Sequence, residues 1–129
     1  MGKRVPGLAV DDVHRPVSLF GGWTVICARE RSREAVMEAL RKGEFYASQG
    51  PEFTSLTLEG DMLRAEFSEA VKACFVSRTG GRRYALAGED KPVTSMELDI
   101  SAFRTGNNYV RCVITNAQGR SAWSNPVFL

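Results

Sequence analysis

The chain has a single histidine, His14, in 129 residues. Any Ser-His-Asp or Cys-His machinery would have to be built on it. No nucleophile stands beside it and there is no Gly-x-Ser-x-Gly elbow, so nucleophilic catalysis is not indicated. Cysteine is scarce too: Cys27, Cys74 and Cys112 show no Cys-x-x-Cys spacing, and a zinc knuckle is not expected. An odd count without a leader points to reduced thiols in the cytoplasm. The apolar and β-branched neighbours of all three predict small buried hydrophobes. Long apolar runs are missing. None approaches the roughly 18 residues needed to cross a bilayer, and Met1–Gly7 carries basic residues with no apolar stretch behind them, so neither a membrane span nor a signal peptide is expected. Neither charge sign dominates. Seventeen Lys and Arg oppose fifteen Asp and Glu for a net charge of +2. Residues 1–65 hold nine basic and nine acidic side chains, and residues 66–129 hold eight and six. That balance gives no electrostatic footprint for nucleic acid. Arg82-Arg83 reads as a solvated turn, and Gly21-Gly22 and Gly80-Gly81 lack the pattern of a phosphate loop.

What is present is enough apolar material for a core: 43% of residues are hydrophobic and 25% charged, the profile of a folded domain. Residues 7–12 read as a short buried strand and residues 23–28 as a second one. A helix is predicted over 33–42. Ser32 suits the N-cap, Glu34 the first turn, Arg41 and Lys42 the last turn, and Gly43 the left-handed stop. Val36, Met37 and Leu40 recur at helical spacing and are expected to pack it.

After Gly43 the period falls to two. Phe45-Tyr46-Ala47 is a short extended piece, followed by Gly50-Pro51. Strands then alternate through Thr54-Leu56-Leu58, Leu63-Ala65-Phe67, Val71-Ala73-Phe75, Tyr84-Leu86, Met96-Leu98-Ile100, Tyr109 to Thr115 and Ser121 to Leu129. A hairpin tip is expected at Thr79-Gly80-Gly81. Seven short strands with turn signals between them predict an antiparallel, immunoglobulin-like β-sandwich over residues 52–129. Trp23 and Trp123 are expected as core or interface anchors.

One cluster suggests ligand chemistry. In Asp11-Asp12-Val13-His14, an extended backbone would project Asp12 and His14 to the same face, offering two donors to a hard or borderline divalent cation. Taken alone, two donors do not make a site, and the competing reading has Asp12 as a turn acceptor and His14 as an exposed polar residue.

Several stretches together resemble the PHP superfamily of metal-dependent hydrolases (polymerase and histidinol phosphatase type), in the branch with a β-rich C-terminal domain. They are Ala39-Leu40-Arg41-Lys42-Gly43-Glu44-Phe45-Tyr46-Ala47-Ser48-Gln49-Gly50-Pro51, then Tyr109-Val110-Arg111 with the Asn116-to-Gly119 turn, and Ala122-Trp123-Ser124-Asn125-Pro126-Val127 at the end. Gly7-Leu8-Ala9-Val10-Asp11-Asp12-Val13-His14 is similar to the family's last metal-binding motif, Asp-x-His at the end of a barrel strand. The resemblance implies that Asp12 and His14 are metal ligands, with Asp11 as a third contact or an orienter of the other two. It implies a multi-metal centre of zinc, manganese or iron that activates water for phosphoester hydrolysis in a full-length parent. The family's His-x-His motif and intermediate ligands are not in this sequence.

The expectation is therefore a remnant of the barrel end over residues 1–50, including helix 33–42, followed by a β-sandwich accessory domain over 51–129. The isolated chain is expected to be inactive, to hold no cofactor, and to be cytoplasmic. Leu8, Val10, Val25 and Ile26 would lack their barrel partner, so a homodimer through the N-terminal segment, or disorder over residues 1–20, is expected. The reading from another class is a freestanding immunoglobulin-like binding domain, faintly echoed by Cys74, Tyr109 and Cys112.

Overall fold

The computed structural model describes residues 4–78, 82–86, 91–106 and 108–129. Its helix, α1 (Arg33–Lys42), has the predicted limits because its caps set them. The Ser32 hydroxyl accepts from the Ala35 N–H, and Gly43 adopts φ 75°, donating its N–H to the Ala39 and Leu40 carbonyls. That left-handed stop is one a side chain would strain. The face α1 buries differs from expectation. Ala39 is 1% exposed, Met37 is 40% exposed, and Val36 and Leu40 are only half-buried. α1 packs on β1, and its one buried residue is the small Ala39.

Among the described residues, ten strands run antiparallel in two sheets. They are β1 (Trp23–Ile26), β2 (Phe45–Ser48), β3 (Phe53–Glu59), β4 (Met62–Ala70), β5 (Lys72–Ser77), β6 (Arg82–Leu86), β7 (Val93–Asp99), β8 (Tyr109–Thr115), β9 (Ser121–Ser124) and β10 (Val127–Phe128). The larger sheet has the order β1-β2-β9-β8-β5-β6, with β10 also on β8, and the smaller is β3-β4-β7. β1 and β2, both N-terminal to residue 50, thus extend the same sheet as the C-terminal strands. The core lies between the sheets. Ala73, Phe75, Val110, Cys112, Ile114 and Ala122 face Leu63, Ala65, Phe67, Met96 and Ile100, all buried. Tyr46, Phe53 and Phe67 link the layers edge to face, at centroid separations of 5.3 and 6.2 Å. The outer face of the small sheet is solvated, and Arg64 on β4 pairs across the strands with Glu97 on β7.

Several expectations change. Residues 7–12 form no strand. Leu8 is 63% and Val10 79% exposed, and the segment is held beside β1 only where Thr24 Oγ1 bonds both the N–H and the carbonyl of Ala9, each at 3.0 Å. The expected seventh strand breaks into β9 and β10 at Asn125-Pro126, because proline cannot donate to a ladder. Phe53 and Leu56, three apart, both reach the core because the β3–β4 register shifts between Phe53 and Ser55, as a bulge permits. Val71 is exposed: it forms the one-residue corner by which the chain leaves β4 in one sheet for β5 in the other, its N–H donating to the Thr115 carbonyl. Arg82 and Arg83 belong to β6, their backbones opposite Val76 and Phe75, rather than to a turn. The hairpin tip assigned to Thr79-Gly80-Gly81 lies outside the described residues.

Candidate functional site

The Asp11–His14 segment is organised by its first carboxylate. Asp11 Oδ1 accepts from the Gly22 N–H at 2.8 Å and Oδ2 from the Phe20 N–H at 2.7 Å. Together with Gly21, these N–H groups, Gly22 foremost, hold the carboxyl below the usual aspartate range despite some desolvation. Asp11 thereby anchors the loop through both of its oxygens. The turn-acceptor role falls to Asp11 and not to Asp12.

Asp12 and His14 do come together, but not by strand alternation. Asp12 sits at φ 47°, a left-handed conformation that aspartate tolerates better than most residues. The turn brings His14 Nδ1 to 2.7 Å from the Asp12 carbonyl and 3.9 Å from its Oδ2. A carbonyl only accepts, so Nδ1 carries the hydrogen in this contact, and in the neutral ring Nε2 is then the nitrogen with the lone pair. That tautomer is the one a metal-binding imidazole adopts when its second nitrogen is tied to an oxygen. The two side chains are 87% and 77% exposed. Carboxylate and imidazole are donor types that suit zinc, manganese or iron, but the Asp12 carboxylate lies on the Nδ1 side of the ring and not beside Nε2. Among the described residues, no group of three or more His, Cys, Asp or Glu side chains converges to hold an ion.

The other motifs prove to be structural anchors. Ser48, buried at the end of β2, donates to the Pro51 carbonyl at 2.6 Å and accepts from the Gly50 N–H at 2.8 Å. Gly50 itself takes φ 147°. Ser48-Gln49-Gly50-Pro51 is therefore the corner that passes the chain from the large sheet to the small one. Asn125 joins three distant pieces. Its amide donates to the Gly43 and Phe45 carbonyls at 3.0 and 2.8 Å, and its Oδ1 accepts from the Gly7 N–H at 3.1 Å. That last bond holds the N-terminal segment over the outer face of the large sheet.

Beneath the segment runs a cleft of about 690 Å³, which the sequence reading did not anticipate. Its floor includes Trp123 and Tyr109, with Arg111 alongside. Trp123 is half-buried and Trp23 is 38% exposed, so neither indole is a core anchor. The signal was there in part: Ala122 and Ser124, which flank Trp123, are the buried ones, and alternation then places Trp123 on the opposite face.

Cys74 and Cys112 are buried and free, while Cys27 is exposed, against the expectation for it. Partial desolvation and then the neighbouring Glu44 carboxylate push the Cys27 thiol up. Cys112 is pushed up to about 12 by burial first and by Cys74 second. Cys74 and Cys112 lie on adjacent strands of one sheet, opposite Val113 and Phe75 respectively. They therefore project to opposite faces and do not form the bridge between sheets found in antibody domains.

In comparisons with known proteins, no family model, no curated sequence and no solved structure matches the chain. No described helix is long and apolar enough to cross a membrane.

Proposed function

We propose that this chain is the C-terminal region of a PHP-type metal-dependent hydrolase. It combines a non-catalytic, immunoglobulin-like β-sandwich with the loop that bears the last metal ligands of the parent. The observation that supports this reading is the exposed Asp12–His14 pair, in which the Asp12 carbonyl holds the imidazole through Nδ1 and so turns Nε2 away from the backbone. Asp12 and His14 would contribute two ligands to a centre whose other ligands lie outside this sequence, and the bound metal would there supply an activated water. The residues present fit that role as donors. Their own part is to orient: Asp11 fixes the loop, Asp12 fixes the imidazole tautomer, and Asn125 ties the N-terminal segment to the sandwich.

The test has two arms. Zinc titrated calorimetrically into the purified chain should bind weakly, because two exposed donors must be ordered by the same energy that holds the ion, and a generic phosphodiester should not turn over. Joined to a reading frame that supplies a His-x-His segment upstream, the same chain should give metal-dependent hydrolysis that His14→Ala abolishes. A sub-micromolar one-to-one site in the isolated chain, or turnover there that disappears in His14→Ala, refutes the reading.

A further inference from the structure

We propose that the cleft between the N-terminal segment and the outer face of the large sheet is a binding site for a small organic anion carrying an aromatic ring, of the aryl phosphate or aryl carboxylate class.

The site is built from both ends of the chain. The wall is the N-terminal segment, held at Gly7 by the Asn125 side chain and at Arg4 by its guanidinium, 5.2 Å above the Phe128 ring. The floor follows from strand register. Val110 and Cys112 face the core, so Tyr109 and Arg111 face outward. Phe128 lies opposite Tyr109, and Trp123 lies beside β8, opposite Val113. Three partly covered rings thus share one face with Arg111, and Arg4 and Arg78 also line the cleft.

The charge of this cleft is distinctive. In a chain of net charge +2, its lining includes Arg4, Arg78 and Arg111, and no Asp or Glu among the described residues. Arg78 has an interaction of its own. Arg111 makes no ion pair among the described residues, whereas Arg64 and Arg104 on the other side of the molecule are each matched with a carboxylate. A guanidinium left without a carboxylate, with indole and phenol rings within the same cleft, suits a ligand with an oxyanion at one end and a flat apolar body at the other. The fork of Arg111 would take the oxyanion in paired hydrogen bonds, and Trp123 would take the ring face. The volume of about 690 Å³ lies within the usual range for small-molecule pockets. A long nucleic acid is a poorer match, since the charge over the whole chain is nearly balanced.

The test uses the whole chain and 1-naphthyl phosphate as probe, by calorimetry and by the indole N–H resonance of Trp123. Saturable one-to-one binding that shifts the Trp123 resonance and leaves Trp23 in place is expected. Arg111→Gln should weaken it by about tenfold or more, the scale of a lost charge-assisted hydrogen bond, while Arg64→Gln leaves it unchanged. Neutral 1-naphthol and inorganic phosphate should each bind at least about tenfold more weakly, because each keeps half of the recognition. Arg111 is exposed, so its variant should fold, and circular dichroism checks this. Absence of saturable binding, equal binding of 1-naphthol, or an Arg111→Gln variant that binds like the parent overturns the proposal. So does an acidic peptide, hexaglutamate, that displaces the probe at lower concentration than 1-naphthyl phosphate itself.

Discussion

Leu63, Ile100, Val110 and Ile114 are sealed from water between the sheets, whereas Val10, Val17 and Phe20 in the N-terminal segment stand almost fully in it. The sandwich is held by apolar burial distributed over many side chains. Residues 4–22 are held at a few points, by polar groups that bond backbone atoms: Asp11 on Phe20 and Gly22, Thr24 on Ala9, and Asn125 on Gly7. Loss of one core side chain should therefore be felt through the whole sandwich, while loss of one anchor should free a local stretch. The segment that carries the proposed metal ligands and walls the cleft is the one held in the second way, as expected of a surface that must receive a partner or ligand.

The largest expected effect lies in the core. Phe75, 1% exposed, packs from β5 into the core between the sheets, and Phe75→Ala should cost about 3–5 kcal/mol through lost transfer energy and the cavity left behind. Urea unfolding should show one cooperative transition moved to much lower denaturant, with β1 and β2 melting together with the C-terminal strands. A separate early transition for β1 and β2 would mean that they do not share the sandwich's stability.

Asn125→Ala should come next. It removes three hydrogen bonds and leaves the Gly43 and Phe45 carbonyls to find water, about 2–3 kcal/mol at roughly 1 kcal/mol per bond. Unlike the core variant, it should also loosen the Gly7 amide and weaken the cleft. Hydrogen exchange at Gly7 that does not change would show that the segment is held by something other than this anchor.

How much of this was visible in the sequence follows the same division. α1 was legible to the residue because Ser32 and Gly43 act locally. The alternation of Leu63, Ala65 and Phe67 was legible because each inward position is apolar and the residues between them, Arg64 and Glu66, are charged. Trp123 was not, because hydrophobicity argues for the core while the small Ala122 and Ser124 occupy the inward positions. The bulge that turns both Phe53 and Leu56 inward also left no mark, since it is set by the partner strand. Asp11 and Asp12 are chemically identical neighbours. Which one anchors the loop and which one faces outward beside His14 depends on the positive φ at Asp12, a product of the turn as a whole. The pairing of Asp12 with His14 was anticipated, although from an extended backbone that the chain does not adopt there.

A smaller effect should come from the helix. With Leu40 half-buried and Ala39 the one buried residue of α1, Leu40→Ala should cost about 1 kcal/mol, well short of a fully buried leucine. Ala39→Leu should cost more, about 1–3 kcal/mol, by overpacking the place where Ala39 is buried. Thermal melts of the two variants check the order. If Leu40→Ala proves the more damaging, the helix packs through its larger apolar side chains after all.

The smallest global effect, and the most local one, is expected at Asp11. Asp11→Asn keeps one accepting oxygen but turns an N–H group toward either the Phe20 or the Gly22 amide, so one anchor bond becomes a clash of donors. Exchange at Phe20 and Gly22 should quicken while the unfolding midpoint of the sandwich stays in place. Asp12→Asn should leave both amides as they are, since the Asp12 carboxylate accepts from neither. Acid should act like Asp11→Asn. The folded carboxyl titrates below its ordinary value of 3.8, so between the two values the loosened loop binds more protons than the anchored one, and the anchored form gains as pH rises. The stabilisation is complete above the ordinary value and is lost as pH falls through the lowered one. The Gly22 amide resonance should report this directly, holding its bonded position through the ordinary aspartate range and moving only in stronger acid. A Gly22 resonance that titrates at or above 3.8, or one that moves alike in the parent chain and in Asp11→Asn, would mean that the loop bearing Asp12 and His14 is fixed by some other group.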